Sequence, residues 1–149
     1  MKHHATAGIP CFGPLPPDGA SRVRPGAYAV VLDGSQRVLV IESADGFHLP
    51  GGGCDPGETP METLIREAAE ECGHAIQILG SIGRADDYVE CEGELRDVLK
   101  QGHFFRAQLT HRLVGSEHPG HTIHWLPVEA ARTALSNAGH AWAVIRALE

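Results

Sequence analysis

The sequence predicts an α/β fold, in which helices cover a mixed β-sheet on both sides as an α/β/α sandwich. Short apolar runs of strand length, rich in β-branched residues, recur from residue 27 to residue 126. One stretch of helical periodicity, residues 60–72, lies between these strands, and two further helical segments follow the last strand. Strands interrupted by a crossover helix are typical of layered α/β domains.

The chain of 149 residues is long enough for one domain that buries about two thirds of its unfolded surface. Residues 1–22 contain four prolines and several glycines without any hydrophobic period, so we expect a flexible N-terminal arm. Residues 23–149 are then the single folded domain.

Turn residues and apolar runs together define the remaining elements. The tripeptide at residues 33–35, Asp-Gly-Ser, separates two apolar runs and predicts a hairpin, and Pro127 is expected to open a helix. The predicted strands are residues 27–32, 37–42, 47–50, 75–82, 103–109 and 121–126, and the predicted C-terminal helices are residues 127–135 and 141–148. On the last helix we expect Trp142, Ile145 and Leu148 to face inward.

Residues 83–100 are acidic, with six carboxylates between Asp86 and Asp97 and few apolar side chains. This composition predicts a mobile loop with an edge strand around Tyr88. We expect the loop to be poorly ordered without ligand and to close over a bound ligand.

The best-marked element is the helix that follows a glycine-rich turn at residues 51–57, where three glycines and an Asp-Pro-Gly sequence exclude regular structure. Thr59 is the expected N-cap, Pro60 the first helical residue and Glu62 the partner that completes a capping box. Gly73 is expected to end the helix.

Helical spacing divides this helix into two arcs. The residues expected to face the core are Met61, Leu64, Ile65, Ala68, Ala69 and Cys72. The polar arc carries Arg66, Glu67, Glu70 and Glu71. Like charges three or four residues apart destabilise a helix by roughly 0.2–0.5 kcal/mol per pair, and a hard divalent cation would offset that repulsion. The simpler alternative is a solvated face on which Arg66 pairs with Glu70 or Glu62.

The order of residues from Gly52 to Gly73 resembles the signature sequence of the Nudix hydrolases, the MutT-like family. Gly52 is followed by five residues and Glu58, then by seven residues and the run Arg-Glu-Ala-Ala-Glu-Glu-Cys-Gly at 66–73. Every invariant position of the family pattern is filled, whereas His74 stands where the family prefers an aliphatic residue. A phosphate-binding P-loop is excluded, because Glu58 occupies the position where that loop requires lysine.

The resemblance implies a Nudix-type α/β/α sandwich and a divalent-metal-dependent hydrolase. Its substrate would be a nucleoside diphosphate linked to another moiety, which includes nucleoside triphosphates, nucleotide sugars and dinucleoside polyphosphates. The implied cofactor is Mg²⁺, with Mn²⁺ as an alternative. Its ligands would be Glu70 and Glu71, with the Gly51 carbonyl and Glu67 as further ligands.

The resemblance assigns Arg66 and Glu58 the role of holding the signature segment in shape, and it leaves the general base open. The candidate bases are Glu67, Glu92, Glu94 and His124. A histidine has a reference pKa near 6.5, which suits proton transfer at neutral pH. Strand alternation places His124 on the face opposite Trp125, toward the cleft.

Nucleobases need a stacking surface, for which Phe47, Tyr88 and Phe105 are candidates, and core packing is the alternative role for each. No coenzyme A motif is present. The alternative function is a non-catalytic, nucleotide-binding regulatory Nudix domain. Such domains would be expected to lose acids of the signature segment, whereas here all three helix glutamates remain.

The net charge of −7, from 19 acidic and 12 basic residues, argues against a nucleic-acid partner. No apolar run approaches membrane-spanning length, and the four cysteines have no paired spacing, so we expect reduced thiols in a cytoplasmic protein, monomeric or homodimeric. A transition-metal site at His118, His121 and His124 is a weaker alternative, because a spacing of three points neighbouring strand residues to opposite faces.

Overall fold

The computed structural model describes residues 8–14, 22–90, 97–113 and 120–149. The strands are β1 Cys11–Phe12, β2 Arg22–Val31, β3 Arg37–Ser43, β4 Gly46–His48, β5 Gly51–Gly53, β6 His74–Glu90, β7 Asp97–Arg112 and β8 Thr122–Pro127. The helices are α1 Pro60–Cys72, α2 Val128–Ala134 and α3 Ala138–Ala147. Among the described residues, no helix is long and apolar enough to cross a membrane.

The strands form two sheets. The larger sheet has the order β1-β6-β7-β2-β5 and is mixed, because β1 pairs with β6 and β2 with β7 in parallel while the other neighbours are antiparallel. The smaller sheet is antiparallel, with the order β4-β3-β8. The short strand β5 pairs with β2 at the edge of the larger sheet, which places the glycine turn at that edge. The prediction that residues 51–57 contain no regular structure is therefore wrong for residues 51–53.

Helices cover both sides of these strands. One core cluster joins Leu64 and Cys72 of α1 to residues of β2, β3 and β7, and the other joins α2 and α3 to the opposite face of the same strands. Successive residues of β2 alternate between the clusters: Ala29 lies in the first and Val30 in the second. The predicted α/β/α sandwich with a mixed sheet is therefore confirmed.

Helix α1 begins and ends as predicted. The Thr59 side chain accepts from the Glu62 backbone N–H while the Glu62 carboxylate accepts from the Thr59 N–H, so the capping box is complete. Gly73 adopts the left-handed conformation at the C-cap, with φ 66°.

The predicted inner arc of α1 is partly wrong. Met61 and Ile65 are 49% and 51% exposed, whereas Glu71 of the predicted polar arc is only 7% exposed. The buried face is therefore turned toward Thr63, Leu64 and Glu71. The reason is a backbone donor that the helical period does not reveal, the N–H of Gly51, which binds the Glu71 carboxylate.

The predicted mobile acidic loop is wrong for the described part of residues 83–100. Strands β6 and β7 pair in register from Gly83 and Phe104 to Glu90 and Asp97, and only residues 91–96 lie outside the description. The prediction took two carboxylates for solvent-exposed loop residues, but both are buried in β6 and each is hydrogen-bonded to another residue. Asp86 accepts two hydrogen bonds from Arg84.

The other buried carboxylate, Asp87, accepts from the backbone N–H of Gly139 at 3.0 Å and so caps the first turn of α3. Segment Cys11–Phe12, which was assigned to the flexible arm, is a strand that pairs with β6 at this same place. The rest of the arm up to residue 7, and residues 15–21, lie outside the described part.

The predicted inner face of α3 is right for Trp142, which packs against the core, and wrong for Ile145 and Leu148. Ile145 and Leu148 are exposed, and the buried residues are Gly139, His140, Ala143 and Val144. His140 causes the difference, because its ring lies 4.4 Å from the Tyr28 ring and its Nδ1 accepts the Leu49 N–H at 3.1 Å. A buried histidine thus attaches α3 to the segment that leads into the glycine turn.

Protonation of His140 should destabilise the fold. Burial lowers its pKa to about 3 from 6.5, so below pH 6.5 the unfolded chain binds a proton that the folded chain refuses. Stability is then fully present above pH 6.5 and falls with decreasing pH by up to about 1.4 kcal/mol per unit. We expect His140→Asn, which retains an acceptor but does not titrate, to show a shallower decline in urea unfolding between pH 6 and 4. Equal slopes in the two proteins would contradict the assignment.

Candidate active site

The glycine turn and helix α1 are joined by one buried hydrogen bond. The N–H of Gly51 donates to Glu71 Oε1 at 2.8 Å. Gly51 has φ 141°, and an added Cβ would overlap the Ala27 carbonyl oxygen, so only glycine fits here. The turn therefore fixes the position of the Glu71 carboxylate.

A second close approach joins Gly52 to Glu67. A Cβ on Gly52 would lie 2.7 Å from the carboxyl carbon of Glu67, so the carboxylate packs directly on the glycine backbone. Two successive glycines thus place two glutamates of α1 at the edge of the larger sheet.

Arg66 lies between the turn and the helix. Its Nε and Nη2 bind Glu58 Oε2 and Oε1 at 2.7 and 3.0 Å, and its Nη1 binds Glu67 Oε1 at 3.0 Å. Glu70 Oε1 lies 3.5 Å from the same Nη1. The hydrogen bonds from Arg66 lower the pKa of Glu58 to about 2, so this bidentate pair stays charged. The alternative pairing of Arg66 with Glu62 is not seen.

Burial perturbs the two inner glutamates. It raises the pKa of Glu71 to about 8, and the Gly51 N–H only partly opposes that shift. Burial also raises the pKa of Glu67, although the hydrogen bond from Arg66 opposes it. Glu70 is different, because its side chain is 47% exposed.

The donor set fits a hard cation. Glu71 Oε2 makes no hydrogen bond within the described residues, and the nearest ion-pair nitrogen is His48 Nε2 at 3.6 Å. His48 donates through Nδ1 to the Leu49 carbonyl at 2.8 Å, so the neutral ring has no proton on Nε2 to offer. A divalent cation would satisfy this oxygen, because it belongs to a largely buried carboxylate that lines the cleft and has no donor among the residues that the structure describes.

In this structure the carboxylates of Glu67, Glu70 and Glu71 do not converge on one point. Among the described residues, no group of three or more His, Cys, Asp or Glu side chains is arranged to hold a metal ion. Arg66 Nη1 supplies the positive charge between Glu67 and Glu70. The histidine alternative gains no support, because His118 lies outside the described residues and His121 and His124 form no such group.

An open cleft of about 960 Å³ has Glu67 and Glu71 among its lining residues, and the part of the cleft around these two carboxylates is its acidic end. Its floor includes Gly51, Gly52, Glu67 and Glu71. One wall carries the positive side chains of Arg22, Arg24 and Lys100. Another wall carries Phe47, His48, His121, Ser136, Asn137 and His140. The cleft therefore joins carboxylates, cations and an aromatic ring in one space.

Some of the predicted site residues lie elsewhere. Phe47 lines the cleft, but Phe105 packs in the core cluster on the α1 side, and Tyr88 is not among the lining residues. His124 also lies outside the lining, with its Nε2 2.9 Å from Glu42 Oε1 and its ring against Phe47. The candidate bases Glu92 and Glu94 fall outside the described residues.

Sequence reasoning missed the positive wall. Arg22 and Arg24 are two residues apart on β2, so their side chains lie on the same face of the strand. The strand begins at Arg22, before the apolar run from which it was predicted. Lys100 lies in the stretch taken for a loop. A prediction that started β2 at Arg22 would have placed the two arginines on the same face as Gly26 and Tyr28.

The glycine turn, the acidic crossover helix and the sandwich together define a domain of the type that the sequence resembles. The family model for the NUDIX domain matches residues 22–148, so the chain belongs to the Nudix family.

Three proteins illustrate the likeness. A protein of Bacillus subtilis (strain 168) named "Putative 8-oxo-dGTP diphosphatase" is 40% identical over 60 residues, which cover 39% of this chain and only 40% of that relative's length. The structure of a NUDIX hydrolase from Nitrosomonas europaea has a TM-score of 0.69 at 17% identity, covering 85% of this chain and 89% of that one. The MutT protein from Methanosarcina mazei Go1 has a TM-score of 0.62 at 19% identity, with 84% and 92% covered. At these identities the two structures show the fold.

The buried charge of Glu71 should weaken the metal-free protein at alkaline pH. The folded pKa is about 8 and the reference value 4.5, so the folded state holds a proton that the unfolded state releases. Stability then falls as pH rises from 4.5 to 8, by up to about 1.4 kcal/mol per unit. We expect Glu71→Gln, which retains the acceptor for Gly51, to be more stable than the native protein in EDTA at pH 8, with a smaller advantage at pH 5.

Saturating Mg²⁺ should remove that advantage, because the cation compensates the native carboxylate but not the amide. Urea unfolding at the two pH values measures both effects, and Glu70→Gln is the exposed control. Identical pH slopes in native and Glu71→Gln proteins would show that Glu71 does not carry the perturbed charge.

Proposed function

We propose that the protein is a divalent-metal-dependent hydrolase that cleaves the pyrophosphate bond of a nucleoside diphosphate linked to another moiety. The observation that carries this proposal is the buried Glu71 carboxylate, fixed by the Gly51 N–H at the acidic end of a cleft with positive side chains. A diphosphate needs both features, because its charge must be neutralised and its position fixed.

Glu70, Glu71 and the Gly51 carbonyl would hold the cation, with Mg²⁺ preferred because every donor is an oxygen, and Mn²⁺ as an alternative. When bound, the cation would neutralise the diphosphate and lower the pKa of water. Glu70 would have to turn from Arg66 toward the cation. Arg66 and Glu58 then act as positioning residues, since their bidentate pair joins the turn to α1.

In the proposed reaction, a water oxygen forms a bond to one phosphorus and the bridging P–O bond breaks. One water proton passes to a carboxylate and then to solvent, and the other stays on the new phosphate. The bridging oxygen leaves with the second phosphate group.

We assign the base to Glu67, because it lines the cleft and burial raises its pKa, which makes it a stronger base than an ordinary carboxylate. His124 lies outside the lining residues. The relative named as a diphosphatase of 8-oxo-dGTP supports a nucleotide substrate for this chain as well.

A non-catalytic regulatory domain is the lesser candidate. Glu67 and Glu71 both reach the cleft, and the Arg66–Glu58 pair that orders them is intact. We propose the cytoplasm as the location, supported by the free thiols of Cys11, Cys54 and Cys72.

Removing either metal-binding carboxylate should abolish turnover without unfolding the protein. We expect Glu70→Gln and Glu71→Gln each to lower kcat by orders of magnitude, because each removes a charge that would hold the cation. The measurement is phosphate release from a panel of nucleoside diphosphate derivatives in Mg²⁺ and in Mn²⁺. Glu129→Gln on α2 is the matched control and should retain activity, whereas near-normal turnover in either site variant would refute the ligand assignment.

The pH profile should separate Glu67 from His124 as the base. We expect His124→Gln to retain the acidic limb of the kcat/KM profile, because the limb would follow ionisation of Glu67. Glu67→Gln should lose most of the activity at every pH. The profile is measured at fixed free Mg²⁺, so that loss of metal is not read as protonation. Disappearance of the limb in His124→Gln would transfer the role of base to the imidazole.

A further inference from the structure

Two cations in the cleft form no ion pair with a described residue, whereas most of the other described basic side chains do. Ion pairs outside the cleft join Arg37 to Asp33, Arg84 to Asp86, Arg132 to Glu129 and Arg146 to Glu149. Arg24 and Lys100 make no ion pair and no side-chain hydrogen bond with any described residue. Lys100 has Asp87 as its register partner on β6, but both oxygens of that carboxylate accept from the Gly139 N–H. In a chain with 19 acidic and 12 basic residues, partners are abundant, so unpaired cations in one cleft are an unexpected concentration of charge.

The two cations also lie side by side. Arg24 on β2 is the register partner of Lys100 on the parallel strand β7, and both line the cleft. Adjacent strands are about 4.8 Å apart, and like charges directly opposite each other destabilise a sheet. An anion held between the two side chains would remove this repulsion.

The position of this pair relates it to the diphosphate site. An added Cβ on Gly53 would lie 3.2 Å from Arg24 Nη2, so the guanidinium lies against the glycine turn. The Glu67 carboxylate packs against the preceding glycine, Gly52.

We propose that Arg24 and Lys100 bind a third phosphate group of the substrate, beyond the diphosphate at the acidic end, and that the substrate class is therefore nucleoside 5′-triphosphates. This inference rests on the proposed function for the bond that is cleaved. Arg22, which lines the same wall, adds positive charge to it.

The chemistry distinguishes the substrate classes left open above. A sugar-linked nucleoside diphosphate such as ADP-ribose has two phosphates, and both are needed at the acidic end, so only a neutral sugar would face the two cations. A triphosphate places its terminal, most highly charged group there. The fork of an arginine and the ammonium of a lysine are suited to such a group.

The test compares substrates in native protein and in the Arg24→Gln/Lys100→Gln variant at fixed free Mg²⁺. We expect the native protein to have a higher kcat/KM for a nucleoside triphosphate than for ADP-ribose. The ratio of the two should fall by roughly tenfold to a hundredfold in the double variant, mainly through KM, because charge-assisted contacts to phosphate are lost. Arg24→Lys with Lys100→Arg keeps both charges and should restore most of the ratio, and Arg132→Gln, which removes a charge outside the cleft, should not change it.

Binding of inorganic tripolyphosphate in EDTA, measured by calorimetry, tests the anion site without catalysis. We expect weaker binding to the double variant than to the native protein and to Arg132→Gln. If the native protein hydrolyses neither substrate, the proposed function fails, and tripolyphosphate binding alone decides this inference. Equal affinities, or an unchanged ratio of kcat/KM, would overturn the third-phosphate site. A native preference for a dinucleoside tetraphosphate over the triphosphate would overturn the substrate class.

Discussion

The hydrogen bond from the Gly51 N–H to the Glu71 carboxylate is the constraint on which the site depends. It joins the first residue of β5, at the edge of the larger sheet, to the last turn of α1. It also holds in a buried position a carboxylate that would otherwise face water. Burying a charge with one donor is costly, and the raised pKa of Glu71 expresses that cost. A bound cation would offset this cost, which is why we propose that the position binds a cation.

Other contacts keep that hydrogen bond in place. The backbone of the segment from Phe47 to Leu49 donates to Ser136, in the connection between α2 and α3, and to His140 of α3. Helix α3 is itself fixed by Asp87, whose carboxylate caps Gly139. A chain of buried polar contacts thus runs from β6 through α3 to the glycine turn. The C-terminal helices therefore contribute to the precision of the site as well as to the core.

Local signals in the sequence were sufficient for the fold class and the capping box of α1, because each depends on residues within one element or on a short apolar pattern. The roles of Arg66 and Glu58 came from the family resemblance, whereas helical spacing alone paired Arg66 with Glu70 or Glu62. The errors have one physical cause. Helical and strand periods assign a polar residue to the surface, but Glu71, Asp87 and His140 are buried against backbone N–H groups that come from distant parts of the chain. A period describes apolar faces and contains no information about such donors. For the same reason the second half of β6 was predicted as a loop, since its buried acids Asp86 and Asp87 resembled loop residues.

Net charge was an equally incomplete guide to partners. The excess of acidic residues argued against a nucleic-acid partner, yet it is an average over the whole chain, in which several arginines are paired with neighbouring carboxylates. What an anion meets is the local arrangement, and in the cleft that arrangement is Arg24 opposite Lys100 beside the glycine turn. Carboxylates at one end of the cleft and unpaired cations on its wall are complementary, because a cation with its phosphates needs both signs of charge within a few ångströms. Under the proposed function, the net negative charge of the rest of the chain would repel competing polyanions, and phosphate groups would be attracted to the cleft.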